Sequence, residues 1–252
     1  MFPVERRKAI LDLLDKHSSV SVEELSKTLY TGEATIRRDL DKMAREGVIT
    51  RTHGGAVRLQ SENIDYPYAF RESENARVKD ELAVCAAELV NDGQTMFLDG
   101  SSTVIRLIGK IAFKKRLKII TNGVKTAFEL SQAGLDTVCT GGSLSVASAS
   151  LTGIETVKCV NKYNVDLFFL SCRALSLERG ITESSEEVAE VKAAMAERSR
   201  KNVLLVDSAK FDKTAFCTLD IMKKINYVIT DKVIDGKWKE FFDSYGIKSL
   251  TV

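Results

Sequence analysis

The chain has few histidines and cysteines, which are the residues of structural zinc sites and of Cys/His catalytic pairs. Its 252 residues include two histidines, His17 and His53, and five cysteines. The cysteines are odd in number, widely spaced and mostly within apolar runs, which is typical of reduced thiols in a core. A structural zinc site and a Cys/His catalytic pair are therefore disfavoured, and we expect neither a metal nor a cofactor. The cysteines are Cys85, Cys139, Cys159, Cys172 and Cys217.

Long apolar segments and an excess of one charge are also missing. No stretch approaches the ~20 apolar residues of a membrane span, and the net charge is only +2. That balance argues against a histone-like protein or a protein that coats membranes. The first residues lead into Glu-Arg-Arg-Lys without the apolar segment of a signal peptide. We therefore expect a cytoplasmic protein with no membrane partner.

The small charge excess lies near the N-terminus. Residues 1–58 contain eleven Lys or Arg and nine Asp or Glu, so the remaining 194 residues carry no net charge. A small basic N-terminal segment followed by a longer segment without net charge indicates a nucleic-acid contact followed by a region that binds a small molecule.

Residues 1–58 are predicted to form a winged helix-turn-helix domain. Ser21 and Glu24 have the spacing of a capping box, and Gly32 is an acceptable N-cap before a further helix. Two β-prone runs around a Gly-Gly pair then indicate a wing. The predicted elements are helices over 3–16, 21–29 and 33–46 and a hairpin over 48–57.

The third predicted helix has an apolar stripe formed by Ile36, Leu40 and Met43. Its other face is basic and is predicted to enter the major groove, where arginine reaches phosphates or guanine and small side chains touch thymine methyl groups. The wing is predicted to contact the DNA backbone or the minor groove. The alternative is a helical hairpin whose arginines are only a solvated face. The predicted DNA-binding residues are Ala34, Thr35, Arg37, Arg38, Arg45, Arg51 and His53.

After the wing, the pattern changes to strand, loop and helix repeated. We interpret residues 59–76 as a linker and helix entry, and residues 77–252 as an α/β domain with a largely parallel sheet. Ligands of such sheets lie at the carboxyl ends of the strands. The predicted strands are 95–98, 117–120, 136–139, 165–170, 203–206 and 227–229, with a long helix over about 185–200.

Three of these strand ends combine glycine with hydroxyl or amide side chains. Glycine lets backbone N–H groups turn toward a ligand, hydroxyls add donors, and the combination suits a phosphate. Lys210 would supply a point charge for that phosphate. Ordinary turns and a solvated lysine are the alternative. The predicted effector-binding residues are Asp99, Gly100, Ser101, Ser102, Thr103, Thr121, Asn122, Gly141, Gly142 and Lys210.

Motifs in both segments resemble those of the DeoR-type bacterial transcriptional regulators. They include Thr35-Ile36-Arg37-Arg38-Asp39-Leu40, Thr52-His53-Gly54-Gly55-Ala56 and Asp207-Ser208-Ala209-Lys210-Phe211. The resemblance implies a body with the sugar-phosphate isomerase fold shared with ribose-5-phosphate isomerase, and it implies that Glu187 faces a bound sugar. The chain departs from the family at Thr31-Gly32, where Val-Ser is usual, and in the order of the residues from Asp99 to Thr103.

We therefore expect a repressor of carbohydrate-metabolism genes that binds operator DNA and is controlled by a phosphorylated sugar. One winged helix contacts only a few base pairs, so a homodimer or homotetramer is expected. Two alternatives stay open. One is an active sugar-phosphate isomerase or deaminase with Asp99 or Glu187 as general base. The other is a DNA-binding scaffold without a ligand.

Overall fold

The computed structural model describes residues 2–58 and 68–252. Contacts divide the chain into an N-terminal unit, Met1–Glu74, and a body, Asn75–Val252. Of the predicted linker over 59–76, residues 59–67 lie outside the described residues, and Tyr68–Ser73 forms a helix.

Four helices and a small three-stranded sheet build the described part of the N-terminal unit. Ser21 caps the second helix by accepting a hydrogen bond from the Glu24 amide, and the Glu24 carboxylate accepts one from the Ser21 amide. Ile36, Leu40 and Met43 of the third helix are buried, so the predicted apolar stripe is confirmed. The elements are α1 Pro3–His17, β1 Ser19–Ser21, α2 Val22–Thr28, α3 Glu33–Arg45, β2 Ile49–Arg51, β3 Gly55–Arg58 and α4 Tyr68–Ser73.

The wing is the predicted hairpin of β2 and β3, to which β1 adds a third strand. The order is β1-β3-β2, and both pairings are antiparallel. Gly55 is required by this arrangement, because a Cβ there would lie 2.1 Å from the Val20 carbonyl oxygen. Sequence analysis missed β1, which has only three residues.

The body is built from short strands alternating with helices. Its helices are α5 Ala76–Ala87, α6 Ile108–Ile111, α7 Val124–Gln132, α8 Ile154–Val160, α9 Glu186–Glu197 and α10 Gly236–Ser244. Its strands are β4 Thr95–Leu98, β5 Lys118–Thr121, β6 Asp136–Cys139, β7 Ser143–Ser145, β8 Ser150–Thr152, β9 Val165–Leu170, β10 Ala174–Ser176, β11 Gly180–Glu183, β12 Ser199–Leu205, β13 Cys217–Thr218, β14 Ile225–Thr230 and β15 Lys248–Thr251.

Seven of these strands form one sheet in the order β15-β14-β12-β9-β4-β5-β6. Every pairing in it is parallel, which confirms the predicted fold class. Residues in the strands alternate between two apolar clusters, since Phe97 belongs to one and Met96 and Leu98 to the other. The sheet is therefore buried on both faces, as parallel sheets are.

Strand order reverses between β4 and β9. From β4 the chain first builds outward through β5 and β6, and then returns to place β9 on the other side of β4. Loops at such a reversal diverge and leave a crevice at the carboxyl ends of the two strands, where ligands of open parallel sheets bind. The loops that begin at Asp99 and Ser171 border this crevice.

Candidate functional site

The outer face of α3 carries the residues predicted to bind DNA. Ala34, Arg37, Arg38 and Arg45 are exposed, and Thr35 is half-buried. The chain folds this way because the buried stripe holds the opposite side of α3 in the core.

Ion pairs distinguish the arginines of this face. Arg37 pairs with Glu33, its Nη2 lying 2.8 Å from the carboxylate. Arg38 and Arg45 donate through Nε to the carbonyl oxygens of Ala34 and Asp41, at 3.2 and 3.3 Å, and neither forms an ion pair with a described residue. Their positive charges are therefore available to an anionic partner.

The two wing residues differ from each other. The Nε of Arg51 lies 3.0 Å from the Asp41 carboxylate of α3, and its Nη1 donates to the Gly55 carbonyl oxygen at 2.7 Å. Arg51 thus links the wing to α3. His53 is exposed at the tip.

A buried ion pair inside this unit was not predicted. The Arg6 Nε of α1 donates to the Asp39 carboxylate of α3 at 2.5 Å, and both residues are buried. Asp39 lies on the same face of the helix as Ile36, Leu40 and Met43. This position could have indicated from the sequence that its carboxylate points inward. The Asp39 charge therefore fixes α3 to α1.

In the body, charged side chains meet at the reversal between β4 and β9. The Lys192 ammonium of α9 lies 2.6 Å from the Glu183 carboxylate and 3.3 Å from that of Asp99, and it donates to the Ser171 carbonyl oxygen at 2.7 Å. Burial alone lowers the pKa of Lys192, but the carboxylates of Glu183 and Asp99 outweigh it and raise that pKa above its ordinary value. Lys192 is therefore a buried cation.

Asp99 is completely buried and held on both carboxylate oxygens. Oδ1 accepts a hydrogen bond from the Ser101 amide at 2.9 Å, and Oδ2 accepts one from the Ser171 amide at 3.0 Å. With Lys192 also in contact, this carboxylate joins the ends of β4 and β9. That arrangement suits a structural anion better than a general base.

Next to this group lies a second pair, Lys210 and Asp207. The Lys210 Nζ donates to Ser171 Oγ at 2.9 Å and lies 3.4 Å from Asp207 Oδ2. The Asn75 amide donates to Asp207 Oδ1 at 3.1 Å. Burial alone raises the pKa of Asp207, but the ammonium groups of Lys210 and Lys79 hold it below its ordinary value.

Lys79 connects this pair to the loop after β4. It is buried on α5, and its Nζ donates to Ser102 Oγ at 3.3 Å. Ser102 is one of the predicted effector residues, and Lys210 is another. Three lysines, Lys79, Lys192 and Lys210, thus surround the carboxyl ends of β4, β9 and β12.

The loops after β4 and β5 pack closely against each other. A Cβ on Gly100 would lie 2.7 Å from the Ser150 Cβ and 3.1 Å from the Gly123 Cα. Gly100 is therefore required by backbone packing. Thr121 also acts locally, because its Oγ1 accepts a hydrogen bond from the Gly123 amide.

Several buried polar atoms along this edge have no hydrogen-bond partner among the described residues. They follow three neighbouring strands and include predicted effector residues. Such atoms are rare in folded proteins unless a ligand or water satisfies them. The atoms are Thr103 Oγ1, Asn122 Oδ1, Thr126 Oγ1 and Thr140 Oγ1.

Gly141, Gly142 and Glu187 are not among the described residues that form hydrogen bonds or ion pairs with Lys192 or Lys210. Gly141 and Gly142 follow β6 and are exposed, and the Gly141 carbonyl oxygen accepts a hydrogen bond from Thr156 Oγ1 at 2.7 Å. Glu187 is exposed in the first turn of α9. Their predicted role in binding an effector stays a prediction.

Sequence analysis did not select Lys79, Ser171, Glu183 and Asp207 as site residues. Lys79 could have been recognised because it lies one turn from buried Leu82 and Ala83 on α5, so it is a charged residue within the apolar stripe of the helix. Ser171 and Asp207 follow strands directly, and Glu183 ends a strand.

Residues 2–58 and 68–252 contain no candidate metal cluster and no candidate membrane-spanning helix. No group of three His, Cys, Asp or Glu side chains within them is placed to hold a metal ion. None of the helices in these ranges is long and apolar enough to cross a membrane.

Comparison with family models assigns both parts of the chain. Residues 6–62 match the DeoR-like helix-turn-helix domain, and residues 74–232 match the DeoR C terminal sensor domain. These two matches account for most of the sequence.

Curated proteins of similar length match nearly the whole chain. The transcriptional regulator GolR of Listeria innocua is 35% identical, and the match covers 97% of each chain. GlpR of Haloferax volcanii is 33% identical over 98% of this chain and 97% of its own. The transcriptional repressor GlcR of Bacillus subtilis is 30% identical over 99% and 96%.

Among solved structures, ribose 5-phosphate isomerase A of Methanocaldococcus jannaschii is a remote match. The identity is 16%, the TM-score is 0.42, and 55% of each chain is covered. A likeness this distant assigns no activity, and the family and the curated relatives are regulators rather than enzymes.

Proposed function

This chain belongs to the DeoR family of transcriptional regulators, and from that premise we propose that it represses carbohydrate-metabolism genes under the control of a phosphorylated sugar. Its helix-turn-helix domain binds DNA, and its body is a sensor domain. Repression is supported by similar proteins that are named repressors, including GlcR and a putative aga operon repressor of Escherichia coli. The sugar phosphate is supported by the chemistry at the edge of the sheet.

Lysines and buried polar atoms without partners among the described residues lie together at the carboxyl ends of the sheet strands, and they are the basis of the effector proposal. Lys210 is only partly buried, and its ammonium is shared between Ser171 Oγ and Asp207. A phosphate dianion gains from such a cation and from hydroxyl donors, so it competes with Asp207 for Lys210. The hydroxyls of Ser102 and Thr103 and the amide of Asn122 then face the sugar.

On the DNA side, α3 enters the major groove with Arg38 and Arg45 as the principal cations. Ala34 and Thr35 contact base edges, Arg37 contributes less because Glu33 neutralises it, and Arg51 positions the wing so that His53 meets the backbone. The free charges of Arg38 and Arg45 support this assignment.

The protein acts in the cytoplasm as a symmetric homodimer or homotetramer. Pairing of two winged helices reads two half-sites, which adds specificity. Large apolar side chains are exposed at Phe128 of α7, Leu144 of β7 and Ile154 of α8, and both helices contact β8. An apolar surface of this kind suits subunit contact. Sedimentation at micromolar concentration tests the assembly, and a monomer with full DNA affinity would contradict it.

A thermal-shift screen of the full chain tests the effector. Sugar phosphates are compared with the matching unphosphorylated sugars, because only the phosphate engages the lysines. We expect at least one sugar phosphate to raise the melting temperature and to change the affinity for a DNA duplex that the protein selects from a random pool. Equal stabilisation by the unphosphorylated sugar, or none by any phosphate, would contradict the proposal.

A further inference from the structure

An exposed tyrosine occupies the turn between α2 and α3. Tyr30 has 95% of its surface exposed, whereas its neighbour Leu29 is buried in the core. The backbone of Tyr30 has φ +47°, in the left-handed region that glycine adopts without cost.

Neighbouring residues hold this turn without help from the Tyr30 side chain. The Thr31 amide donates to the Ser26 carbonyl oxygen at 3.1 Å, and Ser26 Oγ donates to the Thr31 carbonyl oxygen at 2.8 Å. Thr31 Oγ1 donates to the Leu29 carbonyl oxygen at 2.9 Å. A tyrosine at this positive φ therefore destabilises the backbone, and its exposed ring adds almost no buried apolar surface to offset that cost.

The surroundings indicate what such a side chain contacts. Only Thr31 and Gly32 separate Tyr30 from α3, whose outer face presents Arg38 and Arg45 without ion pairs to described residues. A phenol offers one hydroxyl donor on a rigid ring, and tyrosine hydroxyls are among the groups that bind DNA phosphates. In a helix-turn-helix the first helix crosses the DNA backbone and the second enters the major groove with its N-terminal residues, so the turn between them lies near the rim of the groove and its phosphates.

We propose that Tyr30 is a DNA-binding residue whose hydroxyl donates a hydrogen bond to a phosphate oxygen at the rim of the major groove. The proposal rests on the docking of α3 described under the proposed function, and it is independent of any effector. The contact orients α3 in the groove and adds no positive charge.

The test compares Tyr30→Phe and Tyr30→Gly in the full chain with wild type. The matched control is Ser18→Gly, because Ser18 is exposed in the same unit and has φ +59°. The probe is a duplex that wild type selects from a random pool, with and without methylphosphonate at single phosphates. Affinity is measured over a series of salt concentrations, and stability by thermal unfolding.

We expect Tyr30→Phe to weaken DNA binding roughly tenfold, as for a hydrogen bond to a charged group, with an unchanged dependence on salt. Tyr30→Gly weakens binding at least as much while it raises the melting temperature. Ser18→Gly raises the melting temperature and leaves affinity unchanged. A methylphosphonate at one particular phosphate weakens DNA binding by wild type but not by Tyr30→Phe.

Several results would overturn the contact. If Tyr30→Phe binds DNA with wild-type affinity, the hydroxyl does not contact the DNA. If Tyr30→Gly is less stable than wild type, the ring stabilises the fold. A change in sedimentation of Tyr30→Gly assigns the ring to contact between subunits. If wild type selects no duplex, the docking of α3 itself fails, which is a different outcome from a variant that binds normally.

Discussion

On α3 of the N-terminal unit, Arg38 and Arg45 project from an apolar core without forming ion pairs with described residues, whereas in the body Lys192 is buried between Asp99 and Glu183. The first arrangement leaves positive charge at the surface, where the proposed DNA contact needs it. The second uses charge to join the ends of strands. Basic side chains are therefore exposed to solvent in one unit and join strand ends in the other.

This difference determines how substitutions act. An exposed arginine is removed at little cost to the fold, because water already solvates it. A buried lysine between two carboxylates is different, since its removal leaves uncompensated charges in a low-dielectric environment. Lys210 lies between these extremes, being partly exposed and paired with buried Asp207.

The largest effect is expected for Lys192→Met, which leaves Asp99 and Glu183 as buried carboxylates without their cation. The free energy of unfolding of the body should fall by about 3–5 kcal/mol, measured by urea denaturation. The control Lys158→Met breaks an exposed pair with Glu155 and should cost less than about 1 kcal/mol. Equal stability of the two variants would contradict the structural role of the buried cluster.

Lys210→Ala should weaken binding of the phosphorylated effector by roughly 1.5–3 kcal/mol, as for a hydrogen bond to a charged group. DNA affinity without effector should remain close to that of wild type, so the variant stays in its unliganded regulatory state. Calorimetry measures the effector, and Lys213→Ala is the control because Lys213 is exposed on the same loop. Wild-type effector affinity in Lys210→Ala would place the phosphate elsewhere.

Arg38→Ala should weaken binding to the selected duplex by about 1–3 kcal/mol if the guanidinium reads a base. If it meets a phosphate, the slope of log affinity against log salt should fall by about one. The melting temperature should not change, since Arg38 is exposed. Lys16→Ala on α1 controls for the loss of one charge. Unchanged DNA binding in both Arg38→Ala and the Arg37→Ala/Arg38→Ala double variant would overturn the assignment.

The smallest expected effect is a dependence on pH at Asp207. Because its pKa is held below the ordinary value, ionised Asp207 contributes stability above about pH 4 and loses that contribution as the pH falls through the lowered pKa. The stability advantage of wild type over Asp207→Asn should therefore shrink in acid. Urea midpoints measured from pH 7 to pH 3 test this, and a constant difference would mean that Asp207 is not held as an anion.

Local signals in the sequence predicted most of the N-terminal unit. The capping box of Ser21 and Glu24, the apolar stripe of α3 and the Gly-Gly wing each depend on residues only a few positions apart, and the structure confirms them. Predicted strands of the body are also present, with β12 and β14 beginning earlier than expected. Short elements such as β7, β8 and β13 were missed because two or three residues carry too little periodicity.

The partners of the charged residues were decided by tertiary structure. Arg6 meets Asp39 across 33 positions, and Asn75 meets Asp207 across 132. Lys192 of α9 contacts both Asp99 and the Ser171 carbonyl oxygen because β9 lies beside β4, although β5 to β8 come between these two strands in the chain. Helical and strand periods specify which face of an element is buried, so the sequence determined the elements and the chemistry at their ends. Which distant ends meet depends on strand order and register, which arise from the packing of the whole sheet.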